Sequence, residues 1–173
     1  MPKNLDDLGL KSVANSYDVF FIDIWGVLHN GINLYQNSVN VLNELEKLNK
    51  NYILLTNAPR PNRTVIEFLK NMGLDENKCK KVYTSGESAL KHLEKNYKEK
   101  KFYHIGPPRD FDLFKLFEKN KIDNLEQSDF ILCTGLFEEY EEDLKYYKEL
   151  QKRIERAKHP KVLMRRQLTG CKL

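Results

Sequence analysis

Apolar and polar positions along the chain predict strands and helices in turn. A short, continuous and aromatic-rich run at residues 18–24 (DVFFIDI) predicts a buried strand. Residues 37–50 repeat apolar side chains at helical spacing, with Ser38 as the predicted N-cap of the helix. A second apolar run at residues 51–57 (NYILLTN) predicts another strand. The side chains on the apolar face of the helix are Val41, Leu42, Leu45 and Leu48.

The same alternation continues as far as residue 164. After the proline-containing break at residues 58–63 (APRPNR), residues 64–73 predict a helix that ends at Gly73. Alternating strands and helices of these lengths predict an α/β fold whose parallel strands are joined by right-handed crossovers. Residues 165–173 show no periodicity and predict an irregular tail. The later elements are a strand entering a helix at 81–96, a strand at 101–106, a helix at 109–120, a strand at 129–135, a helix at 141–157 and a strand at 161–164.

Composition and charge exclude several classes of function. The chain has 173 residues, 40% of them apolar, which is enough for one domain or one and a half. Its 29 basic and 25 acidic residues are interleaved, which indicates a solvated surface and argues against nucleic-acid binding. The three cysteines share no metal-ligand spacing, and no apolar run approaches the ~18 residues of a membrane span. We therefore expect a cytoplasmic protein with reduced thiols that binds neither nucleic acid nor membrane.

Polar side chains stand at the ends of the first two predicted strands. Asp23 ends the first strand, and Thr56 and Asn57 end the second. Open parallel sheets bind their ligands at the carboxyl ends of the strands. A carboxylate there can attack phosphorus, while a hydroxyl and backbone amides hold the phosphoryl oxygens. If the two strands are neighbours, these residues predict a phosphoryl-transfer site.

Two motifs resemble those of a known superfamily. Residues 23–31 (DIWGVLHNG) and 54–61 (LLTNAPRP) resemble motifs I and II of the haloacid-dehalogenase (HAD) phosphohydrolases, subclass IIA, the 4-nitrophenylphosphatase and pyridoxal-phosphatase-like group. The resemblance covers roughly residues 15 to 164. Three further stretches resemble the cap region of one bacterial branch of that subclass, namely YTSGES (83–88), HIGPPRD (104–110) and CTGLF (133–137).

The resemblance implies a role for each matching residue. Asp23 would be the nucleophile that forms an aspartyl-phosphate, and it would also bind Mg²⁺. The backbone carbonyl of Trp25 would be a second Mg²⁺ ligand. Thr56 and the amide of Asn57 would bind the phosphoryl group, and Arg60 would meet an anionic substrate. The implied substrate is a small phosphorylated metabolite.

The chain departs from the family pattern at motif I. Most phosphatases of the superfamily carry a second Asp where this chain has Trp25, and that Asp protonates the leaving oxygen and then activates water. An indole can do neither, so we expect slow turnover or none. His29 is a nearby titratable group that could take over the proton transfer, or it could be a polar residue of the loop.

The later motifs of the superfamily are missing as well. A Lys of motif III and an acidic motif IV follow the cap in relatives, but no Asp or Glu follows Glu155 here. We therefore expect a C-terminally truncated hydrolase: residues 1–80 as half of a Rossmann-like parallel-sheet core, 81–164 as a C2-type α/β cap, and 165–173 as the tail. A core of two clear strands would leave an apolar sheet edge exposed, so we expect marginal stability, a homodimer or a complementing chain.

Other functions remain open on the sequence. The chain could be one half of a split hydrolase, completed by a second chain that supplies the missing motifs. It could also be a non-catalytic module that binds a phosphate ester or a protein. A phosphoacceptor receiver domain fits less well, because it needs an acidic pair before the phosphoacceptor strand. A dinucleotide-binding domain would need a Gly-rich turn that the chain lacks.

Overall fold

The computed structural model describes residues 8–135, 144–157 and 161–164. These residues form two compact units. The first contains the described residues up to Thr56 together with Val65–Tyr83, and the second contains Asn57–Thr64 together with the described residues from Thr84 onward. The predicted α/β class with parallel strands is confirmed. The assignment of residues 1–80 to a half core and 81–164 to a cap stays a prediction, and the predicted tail at 165–173 lies outside the described residues.

A three-stranded sheet organises the first unit. Its order is β1–β2–β3, with β1 at Val19–Asp23, β2 at Asn51–Thr56 and β3 at Val82–Thr84. β1 and β2 are parallel, with a register that runs from Val19 opposite Asn51 to Asp23 opposite Leu55. Its helices are α1 at Gln36–Lys47 and a short α3 at Glu76–Cys79, preceded by 3₁₀ turns at Leu10–Ser12 and Ala14–Ser16. Helix α2 spans Asn62–Asn71, and its residues from Val65 onward belong to this unit.

Helix α1 begins differently from the prediction. Its N-cap is Tyr35, which makes no side-chain capping bond, so the prediction of Ser38 as the N-cap was wrong. Ser38 lies inside the first turn, and its hydroxyl donates to the carbonyl of Val27 at 2.5 Å. On the predicted apolar face, Leu42 and Leu45 are buried, whereas Val41 and Leu48 are 39% and 45% exposed. The loop that precedes α1, rather than a cap side chain, fixes its start.

A second three-stranded sheet organises the second unit. Its strands are β4 at Phe102–Ile105, β5 at Phe130–Cys133 and β6 at Lys161–Met164, all parallel, with β5 in the middle. Helices α4 at Ser85–Tyr97 and α5 at Leu144–Arg156 belong to this unit. Phe130 and Leu132 pack in one apolar cluster and Ile131 in another, so β5 is covered on both faces.

The segment predicted as one helix at 109–120 is different. It forms two 3₁₀ helices, at Pro108–Leu113 and Lys115–Asn120, with a third 3₁₀ turn at Leu125–Gln127. The break falls at Phe114, whose backbone (φ −119°, ψ 17°) is not helical. The Phe114 ring packs against Phe102 and His104, with centroid distances of 5.8 and 4.4 Å. Packing of this buried ring thus accounts for the break in the helical periodicity.

Candidate functional site

Asp23 and Thr56 end two neighbouring strands. Asp23 is the last residue of β1 and Thr56 is the last residue of β2. The parallel register pairs Asp23 with Leu55, the residue before Thr56. Adjacent strands lie about 4.8 Å apart, so both residues stand at the carboxyl edge of this sheet. Parallel sheets bind ligands at that edge.

The side chains of Asp23 and Thr56 belong to opposite faces of the sheet. Side chains alternate along a strand, so Asp23 shares the exposed face of Leu55, while Thr56 follows Tyr52 and Leu54 on the buried face. Thr56 is 8% exposed. The amide of Ile24 donates to Oδ1 of Asp23 at 2.8 Å and orients the exposed carboxylate. A group that met both side chains would have to lie beyond the strand ends rather than over either face.

Trp25 lies in the loop after β1 and packs within that loop. Its indole is 64% exposed and meets the ring of His29 edge-on, at a centroid distance of 5.3 Å. A Cβ atom on Gly31 would lie 2.7 Å from the indole, and Gly31 has φ +95°. Only glycine suits that position, because a side chain would strain the backbone and collide with the indole. Trp25 therefore organises the loop that directly follows Asp23.

His29 is a buried part of the same loop. It is 3% exposed, and the amide of Gly31 donates to its Nδ1 at 2.8 Å. Its ring also contacts Phe68 edge-on, at a centroid distance of 5.4 Å. Burial lowers the pKa of His29, which favours the neutral ring that accepts this bond. The sequence left open whether His29 transfers protons or is a polar residue of the loop, and these contacts favour the loop role.

Asn57 and Arg60 lie in the second unit, in a loop that the first turn of α4 binds. The Ser85 hydroxyl donates to the carbonyls of Asn57 and Ala58 at 2.8 and 2.9 Å. The Thr84 hydroxyl donates to the carbonyl of Arg60 at 2.6 Å. The amide of Gly86 donates to the carbonyl of Ala58 at 3.0 Å. We refer to Asn57–Asn62 as the β2–α2 loop.

Asn62 completes the connection between this loop and α4. Thr84 is the N-cap of α4, and its hydroxyl accepts from the amide of Glu87 at 2.9 Å. In a capping box the glutamate would bind the N-cap amide in return. Here the Oδ1 of Asn62 accepts from the Thr84 amide at 2.9 Å, and Glu87 accepts from the Asn62 amide at 3.1 Å. Asn62 therefore bridges Thr84 and Glu87, which would bind each other directly in a standard capping box.

The sequence did not indicate this role for residues 84–87. The stretch TSGE lies in the segment predicted to be a cap, and its T-x-x-E spacing is the signal for a capping box. That signal predicts where α4 begins. It does not predict that a loop more than twenty residues earlier supplies the partners, because that contact depends on the tertiary fold.

The donor set near Asp23 suits a magnesium ion only in part. Among the described residues there is no group of three or more His, Cys, Asp or Glu side chains that could hold a metal. Mg²⁺ at phosphoryl sites commonly takes one or two carboxylates, with waters and phosphate oxygens as the other ligands. Asp23 offers one exposed carboxylate, and within the described chain no hydrogen bond is found to the carbonyl of Trp25. These two groups would therefore supply two of the ligands of such a site.

A family model describes more than half of the chain. The model for haloacid dehalogenase-like hydrolases matches residues 20–118, which include both motifs and the TSGE stretch. The chain belongs to the haloacid dehalogenase-like hydrolases. The superfamily named from the motifs is therefore confirmed. A comparison with curated proteins found no match.

Solved structures of the family share the fold. A haloacid dehalogenase-like hydrolase from Brucella suis is 27% identical to the chain, with a TM-score of 0.74 over 95% of this chain and 58% of that one. A 4-nitrophenylphosphatase from Thermotoga maritima is 20% identical, with a TM-score of 0.64 over 88% of this chain and 56% of that one. The glycerol phosphate phosphatase from Mycobacterium tuberculosis, solved with magnesium, is 20% identical, with a TM-score of 0.57 over 84% of this chain and 43% of that one.

The chain matches only part of each of these proteins. It spans about 58% of the length of the Brucella suis hydrolase and 56% of the Thermotoga maritima phosphatase. The described part agrees with a partial Rossmann-like core of the family. No helix among the described residues has the length and apolar character needed to cross a membrane.

Proposed function

We propose that the chain carries the nucleophile half of a Mg²⁺-dependent phosphatase that acts through an aspartyl-phosphate on Asp23. The observation that supports this most is the placement of Asp23 and Thr56 at the carboxyl edge of neighbouring parallel strands, in a chain of this hydrolase family. The substrate is a small phosphorylated metabolite. The named phosphatases among the structural neighbours support this class of substrate.

The first chemical step follows from these groups. A carboxylate oxygen of Asp23 attacks phosphorus, the bond from phosphorus to the leaving oxygen breaks, and the leaving oxygen departs with the electron pair. The Thr56 hydroxyl holds a phosphoryl oxygen, and the amide of Asn57 and the side chain of Arg60 take the roles that the resemblance to the family implies. Mg²⁺, held by Asp23 and the carbonyl of Trp25, would offset the charge on the phosphoryl oxygens.

Turnover by this chain is slow. A side chain that donates a proton to the leaving oxygen and later activates water contributes about 10²–10⁴-fold to such reactions. The indole of Trp25 has no proton that it can transfer in this way, and His29 is buried against Trp25 and Phe68. A Trp25→Asp variant would therefore release product faster than the natural chain.

The test measures release of 4-nitrophenol from 4-nitrophenyl phosphate by the purified chain, with and without Mg²⁺. We expect slow, Mg²⁺-dependent release that falls by about 100-fold or more in Asp23→Asn, because the amide is not a nucleophile. Intact-mass spectrometry should detect a phosphorylated form in the natural chain and none in Asp23→Asn. Equal activity in the natural chain and Asp23→Asn would overturn the proposal.

A further inference from the structure

The first turn of α4 binds the β2–α2 loop through the backbone. The carbonyls of Asn57, Ala58 and Arg60 and the amide of Asn62 all have partners in residues 84–87. The partners are two hydroxyls, one amide and one carboxylate. Such a set fixes the direction of several peptide groups in a row, which packing of apolar side chains alone cannot do.

The β2–α2 loop and the first turn of α4 also approach each other very closely at Gly86. A Cβ atom at this position would lie 2.4 Å from the carbonyl oxygen of Arg60 and 2.5 Å from its amide nitrogen. These are backbone atoms of the loop, which cannot move aside as a flexible side chain could. Glycine at position 86 is therefore required for the loop to lie against α4.

We propose that Thr84, Ser85, Gly86 and Glu87 are positioning residues, which hold the β2–α2 loop in the shape that binds a phosphoryl group. This inference rests on the proposed function, in which Asn57 and Arg60 of that loop meet the phosphate. The four residues act through the loop and touch no reacting atom. We refer to them as the TSGE turn.

The direction of the peptide groups decides which backbone atoms of the loop can meet an anion. In a trans peptide the N–H points opposite to the carbonyl of the preceding residue, and the described chain contains no cis peptide. Since Ser85 binds the carbonyl of Asn57, the N–H of Ala58 is directed away from the TSGE turn. The carbonyls of Ala58 and Arg60 precede Pro59 and Pro61, which have no N–H. The turn therefore takes up three carbonyls of the loop and, through Glu87, the amide of Asn62, while the amide of Ala58 faces the other way.

An anion-binding loop needs this arrangement. Carbonyl oxygens repel phosphate, whereas N–H groups and a guanidinium attract it. The positive end of a helix dipole suits the carbonyls, and the N-terminus of α4 supplies it. Holding the carbonyls against α4 before the ligand arrives also lowers the ordering cost of binding.

The test measures binding of inorganic phosphate to the full chain in the presence of Mg²⁺. The dissociation constant is taken from ¹⁵N chemical shifts, and thermal unfolding is recorded for each variant. Ser85→Ala and Thr84→Val should each weaken phosphate binding by about 5- to 10-fold, because each removes a hydroxyl that orders the loop. The shifts of Asn57 and Arg60 should change most.

Two variants provide matched controls. Ser88→Ala removes a hydroxyl from the next turn of α4, and no hydrogen bond of that hydroxyl is found within the described residues. Thr84→Ser keeps the hydroxyl that donates to Arg60 and accepts from Glu87. Both should bind phosphate as the natural chain does.

The outcomes separate this inference from the proposed function. Phosphate affinity unchanged in Ser85→Ala and Thr84→Val would overturn the inference and leave the proposed function intact. Affinity that falls equally in Ser88→Ala, in step with thermal stability, would show a merely structural role and also overturn it. A natural chain that binds no phosphate with Mg²⁺ would overturn the proposed function, and the inference with it.

Discussion

His104 shows how burial controls the protonation of a single side chain in the second unit. It lies in β4, is 8% exposed, and its Nε2 is 2.9 Å from the Thr134 hydroxyl. Phe114 covers one side of its ring. Burial, and to a lesser extent the charge of Lys121, lowers the pKa of His104 to about 4. The neutral ring is therefore the form that the fold stabilises.

This shift makes stability depend on pH. In the unfolded chain His104 takes up a proton near pH 6.5, while in the folded chain it does so only near pH 4. The stabilisation is fully present above pH 6.5 and is lost as the pH falls towards 4, by about 2 kcal/mol at pH 5. His104→Gln should lose correspondingly less stability than the natural chain between pH 7 and pH 5 in urea unfolding.

The control for this prediction is His92→Gln, a substitution on α4 that keeps His104. It tests whether the effect belongs to position 104 or follows the loss of a histidine elsewhere. His29, whose pKa burial also lowers, is present in all three proteins and cancels in the comparison. An NMR titration in which the His104 ring takes up its proton at pH 6 or above would contradict the prediction.

Single residues also mark the limit of what the sequence predicts about the site. Asp23 and Thr56 could be placed at one sheet edge because apolar runs before them define two strand ends. The packing of Trp25 on Gly31 could not be predicted from the sequence, because it depends on how the loop folds back over six residues. The bonds of the TSGE turn to the β2–α2 loop join residues more than twenty positions apart, which no local pattern records.

At the scale of elements, the pattern of apolar residues predicted the strands correctly. The strands at 18–24, 51–57, 101–106, 129–135 and 161–164 all occur, within a residue or two of the predicted bounds. The helix predicted at 109–120 failed because the core takes up Phe114 and interrupts the helix there. Helix α3 was missed because its four residues are too few to show a period, although Asp75 caps it.

Glu46 joins three elements of the first unit. On α1, its carboxylate accepts from the Tyr52 hydroxyl of β2 at 2.6 Å and from Nζ of Lys78 on α3 at 2.7 Å. Lys81 lies 3.4 Å from the same carboxylate. Burial raises the pKa of Glu46, but the bonds from Lys78 and Tyr52 outweigh it, so the pKa lies below its usual value. Lys78 is 7% exposed and depends on this carboxylate.

We predict an asymmetry when this ion pair is broken from either side. Glu46→Ala should destabilise the chain by about 1–3 kcal/mol, because it leaves the buried ammonium of Lys78 and the Tyr52 hydroxyl without their acceptor. Lys78→Met should cost less, because it removes the buried charge and keeps the apolar stem. Urea unfolding at neutral pH measures the free energy of unfolding of both variants and of the natural chain.

Lys47→Met serves as the control on the same helix. Its ammonium pairs with Glu44 at 2.6 Å, but both side chains are well exposed, so solvent screens the pair and Lys47→Met should change stability little. Equal losses for Glu46→Ala and Lys78→Met would show that charge burial does not govern this cluster.

At the scale of the whole chain, one face of the first sheet is apolar and exposed. Val19 and Phe21 of β1 are 45% and 70% exposed, and Leu55 of β2 is 42% exposed. The register places Phe21 beside Ile53 and Asp23 beside Leu55, so these side chains are contiguous on two paired strands. β1 is also an edge strand of the described sheet. Contiguous apolar surface on a sheet with an open edge favours association.

We therefore predict that the purified chain associates as its concentration rises, through this sheet face. Phe21→Lys should raise the dissociation constant by about tenfold or more, since burying a Phe side chain contributes about 1.5–3 kcal/mol. Ile32→Lys is the matched control, because Ile32 is 78% exposed but lies in the loop before α1 and not on the sheet. Sedimentation velocity over a range of concentrations measures both variants. A natural chain that stays monomeric throughout would contradict the prediction, and equal effects of the two substitutions would place the interface elsewhere.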